Sequence, residues 1–138
     1  MRKTLISALS SGILDHTGDP IKAAGWYGPS KGLHTISIRT LNFYGKLFIE
    51  GSSALIPTDN DWFPIVLGGL EVMTFPRPGY SPIYGPSHLG ESCTIGFNFY
   101  VNCLFLRART VKSYIVPMYA TDLQIAQYGS IDSVIVQF

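Results

Sequence analysis

The segment GKLFIEGSSALIPTDNDWFPI, residues 45–65, decides how this chain is expected to fold. It opens with a strand-like run of apolar and β-branched residues, passes through a proline into a polar turn, and resumes as a second strand-like run. Aspartate and asparagine accept hydrogen bonds from nearby backbone groups and tolerate turn dihedral angles. The segment therefore predicts a corner of a β-sandwich in which the tryptophan covers one edge of the core. The residues of this structural turn are Pro57, Asp59, Asn60, Asp61 and Trp62.

A metal site is the alternative interpretation of the same turn. Asp59, Asn60 and Asp61 carry oxygen atoms of the kind that Ca²⁺ binds. The calcium-loop pattern D-x-[DN]-x-[DN]-G with its distal glutamate is missing, and too few ligands lie within reach. The sequence therefore favours ordinary turn chemistry and predicts no metal and no cofactor.

Strand-like runs recur along the whole chain between glycine, proline, asparagine and serine residues. They cover residues 4–9, 33–41, 46–56, 62–68, 71–75, 93–101, 104–111 and 131–138. Eight such runs predict a single all-β domain, residues 1–138, folded as an antiparallel β-sandwich. Very little helix is expected: the best candidate is a single turn in residues 120–129, which Thr121 could cap and Gly129 could end.

Alternation within these runs predicts which side chains face the core, because strand side chains point to opposite faces with a period of two. In HTISIRT, residues 34–40, both isoleucines share one face. In TIGFNFYV, residues 94–101, the isoleucine, both phenylalanines and the valine do the same. In residues 104–111, Arg107 and Arg109 point away from the leucines and the alanine, which predicts a solvated outer face rather than a site.

Two segments rich in glycine and proline, residues 15–32 and 76–90, interrupt the pattern. Proline removes a backbone donor and fixes φ, so neither segment can be a central strand, and both are expected to be long loops. Residues 76–90, hereafter the arm, also hold too many apolar side chains for an idle solvated loop. A neighbouring subunit that holds the arm and an arm folded back over its own sandwich are both consistent with the sequence. The candidate inter-subunit contacts are Trp26, Tyr27, Pro76, Arg77, Tyr80, Ile83, Tyr84 and Leu89.

Composition narrows the class of partner. The formal net charge is +1, and only 14% of residues are charged while 46% are hydrophobic; about 25% charged is usual. No basic stripe of the kind that nucleic-acid binding needs is present, and no apolar run approaches the roughly 18 residues of a membrane span. A neutral, aromatic-rich surface indicates contact with other proteins, and neither nucleic acid nor membrane is an expected partner.

Catalytic patterns are not found in the sequence. His16, His34 and His88 are scattered, and no nucleophile elbow, zinc-binding motif or phosphate-binding loop occurs. A glycosidase would need two carboxylates converging across a cleft, which a sequence alone leaves open. Cys93 and Cys103 are interpreted as two free core thiols, with a bridge between them as the alternative. The chain is expected not to be an enzyme.

Four segments resemble small virion structural proteins of tailed bacteriophages, and most closely the β-sandwich proteins of marine and cyanobacterial phages. The first is a G-x-[VLI]-x-[IV]-[EQ]-[GA]-[ST]-[LS]-A strand, and a P-[ST]-x-x-D-W-F turn follows it. An N-[FY]-x-x-[IL]-R-[AV] strand and a closing G-x-[IV]-x-x-[IV] strand come later. The matching segments are residues 45–54, 57–63, 102–108 and 129–134.

The resemblance implies a non-enzymatic jelly-roll or related Greek-key sandwich that is made in the host cytoplasm and resides in the virion. Its partners would be further copies of itself and capsid, neck or tail proteins, in a decoration, neck, tail or fibre position. The arm is longer and richer in proline than the resemblance leads us to expect, which indicates a contact particular to this particle. The alternative is a carbohydrate-binding sandwich module for host glycan, with Trp26, Tyr27, Tyr80 and Tyr84 as the sugar-binding aromatic residues.

Overall fold

The computed structural model describes residues 1–25, 28, 30–80 and 90–138, and it confirms an antiparallel all-β fold with one short helix. The strands are β1 (Arg2–Ser7), β2 (Asp15–Thr17), β3 (Ile21–Lys22), β4 (Leu33–Phe43), β5 (Gly45–Ser52), β6 (Trp62–Pro64), β7 (Met73–Phe75), β8 (Glu91–Tyr100), β9 (Phe105–Val111) and β10 (Ser130–Gln137), and the helix is α1 (Asp122–Ala126).

The strands form two sheets. Sheet A has the order β1-β10-β4-β8, and sheet B has the order β2-β9-β5-β6, with β3 also pairing with β9 and β7 also pairing with β5. When β2 with β3 and β6 with β7 are each counted as one interrupted strand, there are eight strand positions. Successive positions change sheet at every step except the β5 to β6 hairpin. This is the strand order of a double-sheet jelly roll.

The core lies between the two sheets, as the alternation predicts. Ile36 and Ile38 of sheet A are fully buried, as are Leu106 and Ala108 of sheet B. Their neighbours in sequence point away from the core, so β4 and β9 each turn one face towards it. At one end the rings of Phe43 and Phe75 pack with their centroids 5.6 Å apart. Aromatic pairs at this separation add to the stabilisation that apolar burial provides.

Residues 15–32 are more structured than the sequence predicts. They contain β2 and β3, which both pair with β9 at the edge of sheet B. The strands were missed because they are three and two residues long, too short to show a period of two. Their edge position is consistent with the expectation that a proline-containing segment cannot lie centrally in a sheet.

Two predicted strands end earlier in the structure. The run at 62–68 is a strand only over Trp62–Pro64, because Leu67 and Leu70 form a tight turn through two glycines with positive φ. The run at 46–56 ends at Ser52, so the apolar residues after it belong to a loop.

The predicted helical turn is confirmed as α1. Thr121 is its N-cap and accepts a hydrogen bond from the Gln124 backbone, while the Gln124 side chain accepts one from the Thr121 backbone. This reciprocal capping box satisfies two backbone donors that a helix start leaves free. Gly129 follows with φ +64°, and a Cβ there would collide with the Asn42 carbonyl. The position therefore requires glycine.

Candidate interaction site

The outer face of sheet B carries a cluster of two arginines around one carboxylate. Strands β5 and β9 pair so that Glu50 lies opposite Arg107, with Arg109 two residues farther along. Arg107 Nε lies 2.9 Å from Glu50 Oε1, and Arg109 Nε lies 3.5 Å from the same oxygen. The cluster therefore holds two positive charges against one negative charge.

Aromatic rings cover both guanidinium groups. Arg107 Cζ lies 4.2 Å from the centroid of the Trp62 ring, and Arg109 Cζ lies 4.0 Å from that of Phe48. These distances are those of cation–π contacts. The side chains of Arg107 and Glu50 are only 14% and 11% exposed. Phe48, Glu50, Trp62, Arg107 and Arg109 are hereafter the outer-face cluster.

The outer-face cluster corrects two expectations from the sequence. Arg107 and Arg109 do not form a solvated face, because a carboxylate and two rings from neighbouring strands enclose them. Trp62 is half-buried and packs on Arg107, whereas the core cluster between the sheets does not include it. The pairing of β5 with β9 and β6 brings these residues together from distant parts of the sequence.

The polar turn before Trp62 is held by its own side chains. Asp61 accepts hydrogen bonds from the Thr58 backbone N–H at 2.7 Å and from the Thr58 hydroxyl at 2.8 Å. These bonds lower the pKa of the Asp61 carboxyl below its usual value. Pro57 is half-buried, and Asp59 and Asn60 are exposed at the tip. In the described part of the chain, no group of three or more His, Cys, Asp or Glu side chains is placed to hold a metal ion.

The start of the arm binds its own domain. Arg77 Nη2 and Nε lie 2.6 and 2.8 Å from Glu91 Oε2, and the Arg77 backbone N–H donates to Glu91 Oε1 at 2.8 Å. The Tyr80 hydroxyl accepts a hydrogen bond from the Ser92 backbone at 3.3 Å. Pro76 is half-buried beside them. Arg77 and Tyr80, which the sequence suggests as inter-subunit contacts, therefore contact β8 of their own chain.

Electrostatics stabilise this anchor. The Glu91 side chain is completely buried, and burial raises the pKa of its carboxyl. The hydrogen bonds and charge of Arg77 outweigh that effect, so the net pKa of Glu91 is lowered. Glu91 therefore stays ionised inside the protein because Arg77 pairs with it.

The other proposed contacts fall outside the described residues. Trp26, Tyr27, Ile83, Tyr84 and Leu89 are the remaining candidate contacts, and none of them belongs to the described ranges. The structure thus brings together Arg77, Tyr80 and their partners on β8, while it leaves the aromatic residues of the sugar-binding alternative undescribed, apart from Tyr80.

In the described part of the chain, His34 and the two cysteines make structural contacts. His34 is buried, stacks on Phe99 with ring centroids 5.1 Å apart, and has a pKa lowered by burial. Cys93 and Cys103 are free thiols, as the sequence suggests, and burial raises the pKa of Cys103 to about 11. A thiol with such a high pKa is a poor nucleophile at neutral pH.

Sequence reasoning missed a set of exposed apolar side chains at the two ends of the sandwich. The most exposed are Leu55 (84%), Ile56 (87%), Met118 (87%), Tyr119 (92%) and Leu123 (82%). Leu55 and Ile56 belong to the strand that the sequence predicts over residues 46–56. The available signal was that two adjacent apolar residues break the alternation immediately before a proline. In the segment after β9, the signal was the pair Met118 and Tyr119, which follows Pro117 and the apolar run at residues 114–116.

Comparisons with known proteins do not identify a relative: no family model, no curated protein and no solved structure matches this chain. The resemblance to phage virion proteins therefore stays a prediction. Within the described ranges, no helix has the length and apolar character needed to cross a membrane.

Proposed function

We propose that this chain is a non-enzymatic structural component of a tailed-phage virion and acts through protein–protein assembly. The observation that carries the proposal is the exposure of large apolar side chains at both ends of a sandwich with few charges. Isolated exposed apolar residues are ordinary, whereas groups of them on an ordered surface mark interaction sites. Interface cores are enriched in Tyr and Met, and Met118 and Tyr119 are among the exposed side chains at one of these ends.

Two further points support the proposal. The jelly-roll order occurs in viral capsid domains, although it also occurs in lectins and cupins, so the fold supports the setting by analogy only. The phage setting itself rests on the resemblance of the strand and turn motifs. Capsid decoration, neck, tail and fibre positions are all compatible with a small domain that works by contact.

The test is the location of the protein in infected cells. We expect mass spectrometry of gradient-purified virions to detect the chain at a fixed ratio to the major capsid protein. Recombinant protein should co-sediment with particles that lack it. A chain that is abundant in the lysate but absent from purified particles would contradict the proposal.

A carbohydrate-binding module is the second candidate. Of its four aromatic residues only Tyr80 lies in the described ranges, and its hydroxyl accepts a hydrogen bond from the Ser92 backbone. A glycan array separates the two candidates. A protein that acts only through assembly should bind no glycan on the array, whereas glycan binding that a Trp26→Ala substitution abolishes would favour the carbohydrate-binding module.

A further inference from the structure

One end of the sandwich bears an apolar projection. Met118, Tyr119 and Leu123, hereafter the knob, are almost wholly exposed. The turn that presents the first two is closed by a hydrogen bond from the Ala120 N–H to the Pro117 carbonyl at 3.0 Å, and the capped helix α1 presents the third. The knob is therefore an ordered surface feature.

The other end bears an apolar recess. It is an open hollow of about 360 Å³ lined by Lys22, Ala23, Leu55, Leu104 and Phe105. Backbone hydrogen bonds fix its walls: Leu104 N–H donates to the Ser52 carbonyl at 2.8 Å, and Ala23 N–H donates to the Leu104 carbonyl at 2.9 Å. The hollow has room for the ring of a single aromatic side chain.

The knob and the hollow lie at opposite ends of sheet B. Strands β5 and β9 run antiparallel, with Ser52 opposite Phe105 at the hollow and Lys46 opposite Val111 at the other end. The knob follows Val111 in the chain. Six residue steps of strand separate the two ends by roughly 20 Å. A knob therefore cannot reach the hollow of its own chain, so a match between them requires a second copy.

The charges around the two features are complementary. Asp122 is exposed beside the knob, and Lys22 is exposed at the rim of the hollow. Lys3 lies beside Lys22, since its Nζ donates to the Lys22 carbonyl at 3.2 Å. Opposite charges around an apolar contact favour correct orientation and fast association.

We infer that this chain assembles head to tail with copies of itself, the knob of one copy seated in the hollow of the next. The inference rests on the proposed function, because it names the partner in the assembly as a second copy. Contacts between different patches of identical subunits are heterologous, and they close into rings or continue as filaments. A projection at one end and a recess at the other have this geometry.

The test uses two variants that each lose one side of the contact. The knob variant carries Met118→Ser and Tyr119→Ser, and the hollow variant carries Leu55→Ser and Leu104→Ser. Sedimentation velocity should show concentration-dependent oligomers for the wild type. Each variant alone should associate at least about tenfold more weakly. Their mixture should form 1:1 dimers and nothing larger, because one intact knob then meets one intact hollow.

The matched control is Val66→Ser. Val66 is an exposed apolar residue in the loop after β6 that belongs to neither the knob nor the lining of the hollow, so its loss should leave association unchanged. Thermal unfolding of every variant checks that the sandwich persists. A hollow variant that still dimerises alone would indicate a knob-to-knob contact and overturn the inference. A monomeric wild type would also overturn the inference of head-to-tail assembly. If that monomer still co-sediments with particles, the proposed function stands without self-assembly.

Discussion

Lys112 is the residue whose charge is most at odds with its surroundings. Its side chain is buried, and its amino group donates to the carbonyl oxygens of Ser11 and Gly129. Burial lowers the pKa of Lys112 to about 8, against 10.5 in an exposed lysine. Between these two values the unfolded chain binds more protons than the folded chain, so the free energy of unfolding should rise with pH. Below pH 8 Lys112 is charged in both the folded and the unfolded protein, so the folded protein bears the full cost of burying that charge.

Urea unfolding of the wild type and Lys112→Met measures this effect. Between pH 7 and about pH 10.5, the stability of the wild type relative to the variant should increase by roughly 3 kcal/mol. The comparison is needed because Cys103, whose pKa burial raises to about 11, destabilises the fold over part of the same range in both proteins. Parallel pH profiles would show that Lys112 keeps an ordinary pKa in the folded state.

Trp62 should contribute less to stability than a core tryptophan. It is half-buried and packs on the guanidinium of Arg107, so Trp62→Ala loses a cation–π contact and partial apolar burial. We expect a loss of about 1–2 kcal/mol in the free energy of unfolding, below the 3–5 kcal/mol of a fully buried ring. Trp62→Phe, which keeps a ring over Arg107, should lose less than half of that. A loss above 3 kcal/mol would place Trp62 in the core after all.

At the scale of elements, the described start of the arm is held by the Arg77–Glu91 ion pair and by the hydrogen bond from the Ser92 backbone to the Tyr80 hydroxyl. Glu91→Gln would leave Arg77 with a neutral partner and weaken the anchor while the strands of sheet A stay paired. We expect chymotrypsin to cleave after Tyr80 at least several-fold faster in this variant, because cleavage follows local opening. Arg77 itself precedes a proline, so trypsin is not suitable.

Glu71→Gln is the matched control, since Glu71 is an exposed glutamate in the loop between β6 and β7. Cleavage after Tyr80 should stay at the wild-type rate in that variant. Equal rates in all three proteins would show that the Arg77–Glu91 pair does not restrain the arm.

Elements with a clear period could be predicted from the sequence, and pairings between elements could not. Alternation in residues 34–40 identified the buried face of β4, because Ile36 and Ile38 are two residues apart and so point to the same side of the strand. The same alternation placed Arg107 outward correctly but could not reveal Glu50, which lies 57 residues earlier in the chain. That contact depends on which strand lies beside β9, and strand order is set by the packing of the whole sandwich.

At the scale of the whole molecule, low charge predicts how assembly responds to salt. The chain carries a formal charge of +1, and the knob and the hollow are mainly apolar. Salt does not screen the burial of apolar surface, so the dissociation constant should change less than about threefold between 0.05 and 1 M NaCl. Over the same range, salt screens the attraction between exposed charges. Sodium sulfate should tighten association, because excluded salts favour apolar burial. Equilibrium sedimentation measures both. A steep loss of association with NaCl would instead indicate a contact made by charges such as those of the outer-face cluster, because only charged contacts depend so strongly on ionic strength.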